Sequence, residues 1–211
     1  MFGIHDLALF IVSGLLLNLM PGPDSLLIVA RSASQGWRAG SAAALGIGSG
    51  TMVHVLAAAV GLSALLATSA TAFTVVKWLG AAYIVYIGVK LLRGARGQGQ
   101  GAAAISLPPQ PYRRIFLQGF LSNVLNPKVA IFFLAFVPQF IAADAASKQL
   151  AFIVLGCIFN VNGMLWCHAL AVFTALASAR LQIKPRVSAW LNRVAGGLFI
   201  ALGLKLALSR T

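Results

Sequence analysis

The sequence predicts an all-α polytopic membrane protein of about six transmembrane helices, arranged as two inverted three-helix repeats with broken first and fourth helices. Three observations predict it. The 211 residues are 60% hydrophobic and 9% charged, with a mean hydropathy of +0.91, whereas a soluble domain carries roughly 25% charged residues. Six apolar runs come near the ~20 residues that a spanning helix needs. Proline interrupts the first and fourth of these runs.

The first run, Leu7 to Val29, is broken at Pro21, Gly22 and Pro23, with Asp24 directly after. Proline removes a backbone donor and clashes with the preceding turn, so the helix must break or kink here. Within hydrocarbon, broken backbone is tolerated only where protein buries it or where it lines a wet cavity. Arg31 to Gly40 reads as a polar, basic turn. The second run, Ser41 to Leu66, opens with alanines and then Gly46, Gly48 and Gly50, small residues that let helix backbones approach closely. Phe73 to Leu92 is the third run. Gly94 to Pro111, rich in Gly and Gln and ending in Pro108, Pro109 and Pro111, has too little apolar surface to order itself and reads as a flexible linker.

The fourth run, Ile115 to Ile141, is interrupted at Asn126, Pro127 and Lys128. A polar turn with Asp144 and Lys148 precedes the fifth run, Leu150 to Leu176, and the sixth is Ala189 to Leu208. The expected organisation is a first three-helix repeat at 1–93, a cytoplasmic linker at 94–111 and a second three-helix repeat at 112–211. No basic stretch precedes Leu7 and no small-residue cleavage site follows the first run, so the N-terminus reads as a retained helix.

Short matches join the halves. Gly14 to Pro21 resembles Gly119 to Asn126, Leu45-Gly46 pairs with Leu155-Gly156, and Gly88 to Leu91 pairs with Gly203 to Leu206. They occur in the same order in each half. An odd number of spans per repeat inserts the second copy upside down. Inverted repeats with paired broken helices point to a secondary transporter whose site lies near the bilayer midplane.

The formal net charge of +13 is spread between apolar runs. No basic domain stands outside the membrane to hold nucleic acid, so the charge reads as topology signal and contact with anionic lipid. Arg31, Arg38, Arg93, Arg96, Arg113, Arg114, Arg180, Lys184 and Arg186 fall on one side, against Lys148 and Arg210 on the other, with Lys77 just inside run three. The first side is expected to be cytoplasmic, which places both termini outside. Trp37, Trp78 and Trp190 fall at span ends as interface anchors.

Only 3 residues are acidic, and Asp24 alone approaches membrane depth. The second break answers it with Lys128. A charge at the bilayer centre costs at least about 2.5 kcal/mol, so such groups face a cavity or each other. Three readings follow. Asp24 holds an ammonium group and Lys128 a carboxylate, helped by free backbone N–H groups at the breaks. Alternatively the two pair structurally. In the third, Asp24 carries a proton, which is compatible with the first. The candidate substrate-binding residues are Asp24, Lys128, Asn126, Gly22, Asn18, Asn123, Asn160 and Asn162, with Pro21, Pro23 and Pro127 making the breaks. Asn160 and Asn162 lie mid-run, where hydrogen bonding between helices competes with cavity lining. Histidine titrates near neutral pH, which makes His54 a candidate proton-coupling partner of Asp24; a satisfied structural histidine is the commoner case, for His54 as for His168.

No enzyme motif is found, and no Walker loop supports ATP-driven transport. No cofactor is implied. Cys157, Cys167 and His168 share a helix without a nearby carboxylate, so no metal site is expected. The two cysteines stand about 15 Å apart along that helix, too far for a disulfide between them.

The block Met20 to Asp24 after a short apolar N-terminus, the run Gly36-Trp37-Arg38-Ala39-Gly40, the block Gly119 to Lys128 and the span ending Tyr83 to Leu91 resemble the LysE/RhtB family of bacterial amino-acid exporters. The resemblance covers nearly the whole chain. It implies about six spans in the inner membrane and export of amino acids or close derivatives such as homoserine, driven by the proton gradient. By carry-over, Pro21, Gly22, Pro23, Asp24, Asn126, Pro127 and Lys128 form the expected site core. The scarcity of acids disfavours a lysine or arginine site, so a neutral, homoserine- or threonine-like amino acid is favoured. The partners implied are this substrate, protons and a bilayer with anionic lipids, with a homo-oligomer left open and nucleic acid excluded. Two other functions compete: a transmembrane redox carrier using Cys157 and Cys167, and a non-transporting membrane scaffold.

Overall fold

The computed structural model describes residues 2–62 and 108–178, together with helical positions at 71, 74, 75, 78, 82, 85, 86, 89, 197, 200, 201 and 204. Most of runs three and six, the linker up to residue 107, and Arg180, Lys184, Arg186 and Trp190 lie outside the described residues. Apart from one isolated bridge, the elements described are helical.

The first apolar run is two helices. α1 (Leu7–Leu19) stops because Pro21 restricts the residue before it to extended backbone. Met20 accordingly takes φ −63 and ψ 126, and its N–H closes the last turn onto Leu16 and Leu17. α2 (Pro23–Gln35) restarts with Pro23 in its first turn, where a missing N–H costs no hydrogen bond. The two axes differ by 55°.

α2 continues through the stretch expected to be a basic turn. Arg31 to Gln35 are helical and Arg31 is buried. The connection to α3 (Trp37–Ala57) is Gly36 alone, at φ +84, a left-handed conformation that glycine adopts without strain. Composition suggested a loop, but Ala, Arg, Ser and Gln all sit acceptably in a helix. α3 runs on through a π-type turn, Ala58–Leu62.

The fourth run repeats the pattern. α4 (Tyr112–Val124) breaks at Leu125 and Asn126, and α5 (Pro127–Ile131) follows. A π-type turn, Phe132–Phe136, and a 3-10 turn, Val137–Phe140, extend α5, and the bend across the break is 46°. α6 (Lys148–Ser178) is continuous. The segments Trp37–Gly61 and Lys148–Ala177 are long and apolar enough to cross a membrane; with each bent pair taken as one span, the described residues supply four.

α3 is gripped from two sides. Gly46 and Gly50, one turn apart, face α4. A Cβ on Gly46 would overlap the Phe116 carbonyl oxygen, and one on Gly50 would press on the Phe120 oxygen at 2.9 Å. From α4, a Cβ on Gly119 would overlap the Ala43 carbonyl. Gly48, about 200° round α3, faces Met164 and Asn160 of α6. Without a hydrophobic drive inside lipid, such close backbone packing holds helices together.

The ends of the bundle are distinct. At one end Ile4 bridges Ile141, with Ala142 N donating to Gly3 O at 2.8 Å and His5 N to Phe140 O at 3.1 Å. At the other, Gln35 clasps Gln110 through two hydrogen bonds of 2.8 and 2.9 Å. The N-terminus and the turn before α6 therefore share one end, and Gly36 and residues 108–111 share the other. Each end has its own apolar cluster. Phe10, Phe132, Phe133, Phe136, Phe152 and Phe159 fill the first, and Ile28, Ala43, Ala44, Ile47 and Ile115 fill the second.

Candidate functional site

Between these clusters the two breaks face each other. Asp24 is the second residue of α2, at a helix N-terminus that favours negative charge. Its carboxylate is held entirely by the opposite break. Ser122 Oγ donates to Oδ1 at 2.6 Å, while Asn123 Nδ2 and Asn126 Nδ2 donate to Oδ2 at 2.8 and 3.0 Å.

Lys128 is the second residue of α5 and reaches the other way. Its Nζ donates to the carbonyl oxygen of Leu17 at 3.1 Å and more weakly to that of Met20 at 3.4 Å. These carbonyls close α1, where a helix has more acceptors than donors; that of Leu17 also accepts from Met20 N at 3.3 Å. Each break thus supplies an ion and each binds the ion of the other. Asp24 and Lys128 form no ion pair; the salt bridge found among the described residues joins His5 and Asp6 at 3.3 Å. They remain within Coulombic reach of each other and of Cys167. Gly22 leaves room beside the ammonium, where a Cβ would come to 3.5 Å from Nζ.

Two asparagines organise this exchange. Asn126 caps α5, its Oδ1 accepting from Lys128 N at 3.0 Å while its Nδ2 serves Asp24. Asn123 is 2% exposed, and both ends of its amide are used. Thr51 Oγ1 donates to its Oδ1 at 3.3 Å. His54 Nε2 lies 3.0 Å from its backbone oxygen, and since a carbonyl only accepts, that nitrogen carries the hydrogen. The His54 ring also stacks on Phe133. The glycine face of α3 explains this convergence, because Gly50, Thr51 and His54 all lie against α4 where it ends.

The structure therefore brings Asp24, Asn123, Asn126, Lys128, Gly22 and the three break prolines to one place, with His54 attached through Asn123. Asn18 stands at the edge, against Gly163 of α6, with its Nδ2 buried and without a partner. Asn160 faces Gly48. Asn162 is about 200° further round α6 and makes no hydrogen bond to the site among the described residues. Cys167 lies near the two ions and Cys157 is exposed; both are free thiols. No group of three His, Cys, Asp or Glu side chains is assembled among the described residues. Trp37 and Trp78 are exposed at 50% and 54%.

Sequence reasoning missed Ser122 and Thr51. Ser122 was within reach: it directly precedes Asn123, and helical spacing puts both one turn from Asn126.

Fold and site together define a polytopic α-helical membrane protein built around two facing helix breaks. Comparison with known families agrees: the chain matches the LysE type translocator model over residues 15–210 and belongs to that family. It is 33% identical over 207 residues to an uncharacterised membrane protein of Pseudomonas aeruginosa, covering 97% of this chain and 96% of the relative. An uncharacterised membrane protein of Bacillus subtilis is 30% identical over 212 residues, 98% of this chain and 100% of the relative. The leucine efflux protein of Salmonella typhimurium is 26% identical over 206 residues, 98% of this chain and 96% of the relative. No solved structure matches the chain.

Proposed function

We propose that this protein is a secondary-active exporter of neutral amino acids, from leucine-like to threonine- and homoserine-like substrates. The reciprocal hold on Asp24 and Lys128 carries this reading. A carboxylate with three neutral donors and an ammonium with two carbonyl acceptors are both held by groups that a zwitterion can replace. The substrate ammonium substitutes for Ser122, Asn123 and Asn126 at Asp24. Its carboxylate substitutes for the Leu17 and Met20 oxygens at Lys128. The breaks lie between two apolar clusters, so separating one cluster at a time exposes the site to one end at a time. Such alternation about a central site is the working principle of inverted-repeat transporters.

Proton coupling belongs to the same reading, with Asp24 as the exchangeable carboxylate and His54 placing Asn123 against it. Membership of a translocator family and the name of the Salmonella relatives support amino-acid export. The sequence matches between the halves support a three-plus-three inverted organisation, family membership supports an inner-membrane location, and the excess of Arg and Lys in one set of loops supports termini outside.

The test is a panel. Cells loaded with dipeptides of leucine, threonine, homoserine and lysine are followed for amino-acid release with and without the protein. Faster release of one or more neutral amino acids, lost in Asp24→Asn at equal membrane insertion, is the expected result. Release unaffected by the protein for every member of the panel refutes the proposal.

A further inference from the structure

Arg31 is 4% exposed, and among the described residues no carboxylate partners it. Of the chain's 3 acids, Asp24 is held by the second break, Asp6 sits beside His5, and Asp144 lies in the turn at the far end of the bundle. The partners of Arg31 are neutral: Nη1 donates to the Pro108 carbonyl at 3.3 Å and Nη2 to Gln118 Oε1 at 3.2 Å. N–H···O bonds cluster at about 2.9–3.0 Å, so both contacts are long. Its Nε is buried with no partner at all. A buried guanidinium is costly unless it is neutralised, and this one lacks both an anion and a full set of acceptors.

Its placement adds a second argument. Arg31 follows Asp24 by two helical turns, about 10 Å along α2 and nearly on the same face. α2 and α4 run antiparallel, which sets Asp24 against Ser122, Arg31 against Gln118 and Gln35 near Gln110. A polar seam therefore leads from Asp24 to the end of the bundle that bears Gly36. The apolar residues Ile28 and Ile115 border it. A guanidinium binds the two oxygens of a carboxylate side by side. Here two single oxygens, from Pro108 and Gln118, occupy its terminal nitrogens instead.

We propose that Arg31 is a second carboxylate site, an entry station between the Gly36 end and the central pair. The α-carboxylate of an amino acid displaces the Pro108 and Gln118 oxygens from Arg31, and the molecule then passes along the seam to Asp24 and Lys128. This rests on the amino-acid export proposed above, and it makes Arg31 a binding residue for substrate arriving from that end. A purely structural clasp predicts something different: loss of Arg31 and loss of Gln118 would then act alike. An entry station predicts opposite signs, because Gln118 competes with substrate for the guanidinium.

The experiment uses the purified full chain in proteoliposomes, with the neutral amino acid that the wild type carries supplied on the face bearing Gly36. Arg31→Gln should raise the half-saturating concentration at least about tenfold with the maximal rate little changed, the pattern of lost ground-state binding. Arg31→Lys, which keeps the charge but not the fork, should give a smaller rise. Gln118→Met should lower the half-saturating concentration by roughly threefold. Should Arg31→Gln fail to insert, the opposite shifts of Arg31→Lys and Gln118→Met decide the matter. Shifts of the same sign, or none, in an active transporter overturn the entry station and leave the exporter reading standing. A wild type that carries no amino acid removes both.

Discussion

Lys128 Nζ donates to the Leu17 carbonyl oxygen at 3.1 Å, joining the start of one broken helix to the end of another across 111 positions of sequence. Asp24 makes the converse link to Asn123. The two ions lie close, yet each is neutralised by a helix end and by amides in place of the other ion. Site chemistry and assembly of the fold are therefore carried by the same hydrogen bonds.

Asp24→Asn keeps the size of the side chain and removes its charge. Hydrogen bonds to a charged group contribute about 1.5–3 kcal/mol, and an amide in this position keeps only neutral bonds, its oxygen accepting from Asn123 and Asn126 and its NH2 donating to the Ser122 hydroxyl. Export should fall roughly ten- to a hundredfold, while insertion, read by immunoblot of washed membranes, stays near wild type.

A conventional buried ion pair would be repaired by neutralising both members. The observed geometry predicts no repair. Lys128→Met takes the donor from the Met20 oxygen, at about 1–3 kcal/mol for a stranded polar group, and leaves the Leu17 oxygen with Met20 N alone. Asp24→Asn does nothing for those oxygens. The double variant should therefore melt no higher in detergent than Lys128→Met alone, as measured by thermal unfolding of the purified protein.

The α3–α4 contact tolerates no side chain at Gly46. Gly46→Val drives a branched side chain into the Phe116 carbonyl, and overpacking of this kind costs about 1–3 kcal/mol. A lower melting temperature and reduced yield are expected. Gly61→Ala, where a Cβ meets nothing within 4 Å among the described residues, is the control and should behave like wild type.

His54 donates to the Asn123 backbone, a task that a glutamine amide can also perform. His54→Gln should retain export within about threefold and leave its pH dependence unmoved. His54→Phe, which lacks a donor, should lose most activity. A displaced pH profile in His54→Gln would instead make the imidazole itself a proton carrier.

The breaks, their prolines and their opposite charges were legible in the sequence because each is a local event. Pro21, Pro23 and Pro127 announce themselves against apolar runs, and a lone acid in such a composition has few bland explanations. Asn18 was picked by the same local signal, yet it meets α6, because its position on α1 turns it toward Gly163. The exchange of partners between the breaks was not legible, since it depends on how α2 meets the end of α4 and how α5 meets the end of α1. Arg31 shows the limit of composition most clearly. Counted as a loop charge, it proves to be a helical and buried one, because the turn needs only Gly36.

The crossed hydrogen bonds also bear on biogenesis. During synthesis, α1 to α3 leave the ribosome before α4 exists, so Asp24 enters the bilayer without Ser122, Asn123 or Asn126. The nascent first half is an unfinished object whose carboxylate must wait, hydrated or shielded by the insertion machinery, for its cradle to arrive. A chain truncated at this stage would leave an orphan acid in lipid, the costliest position for such a group.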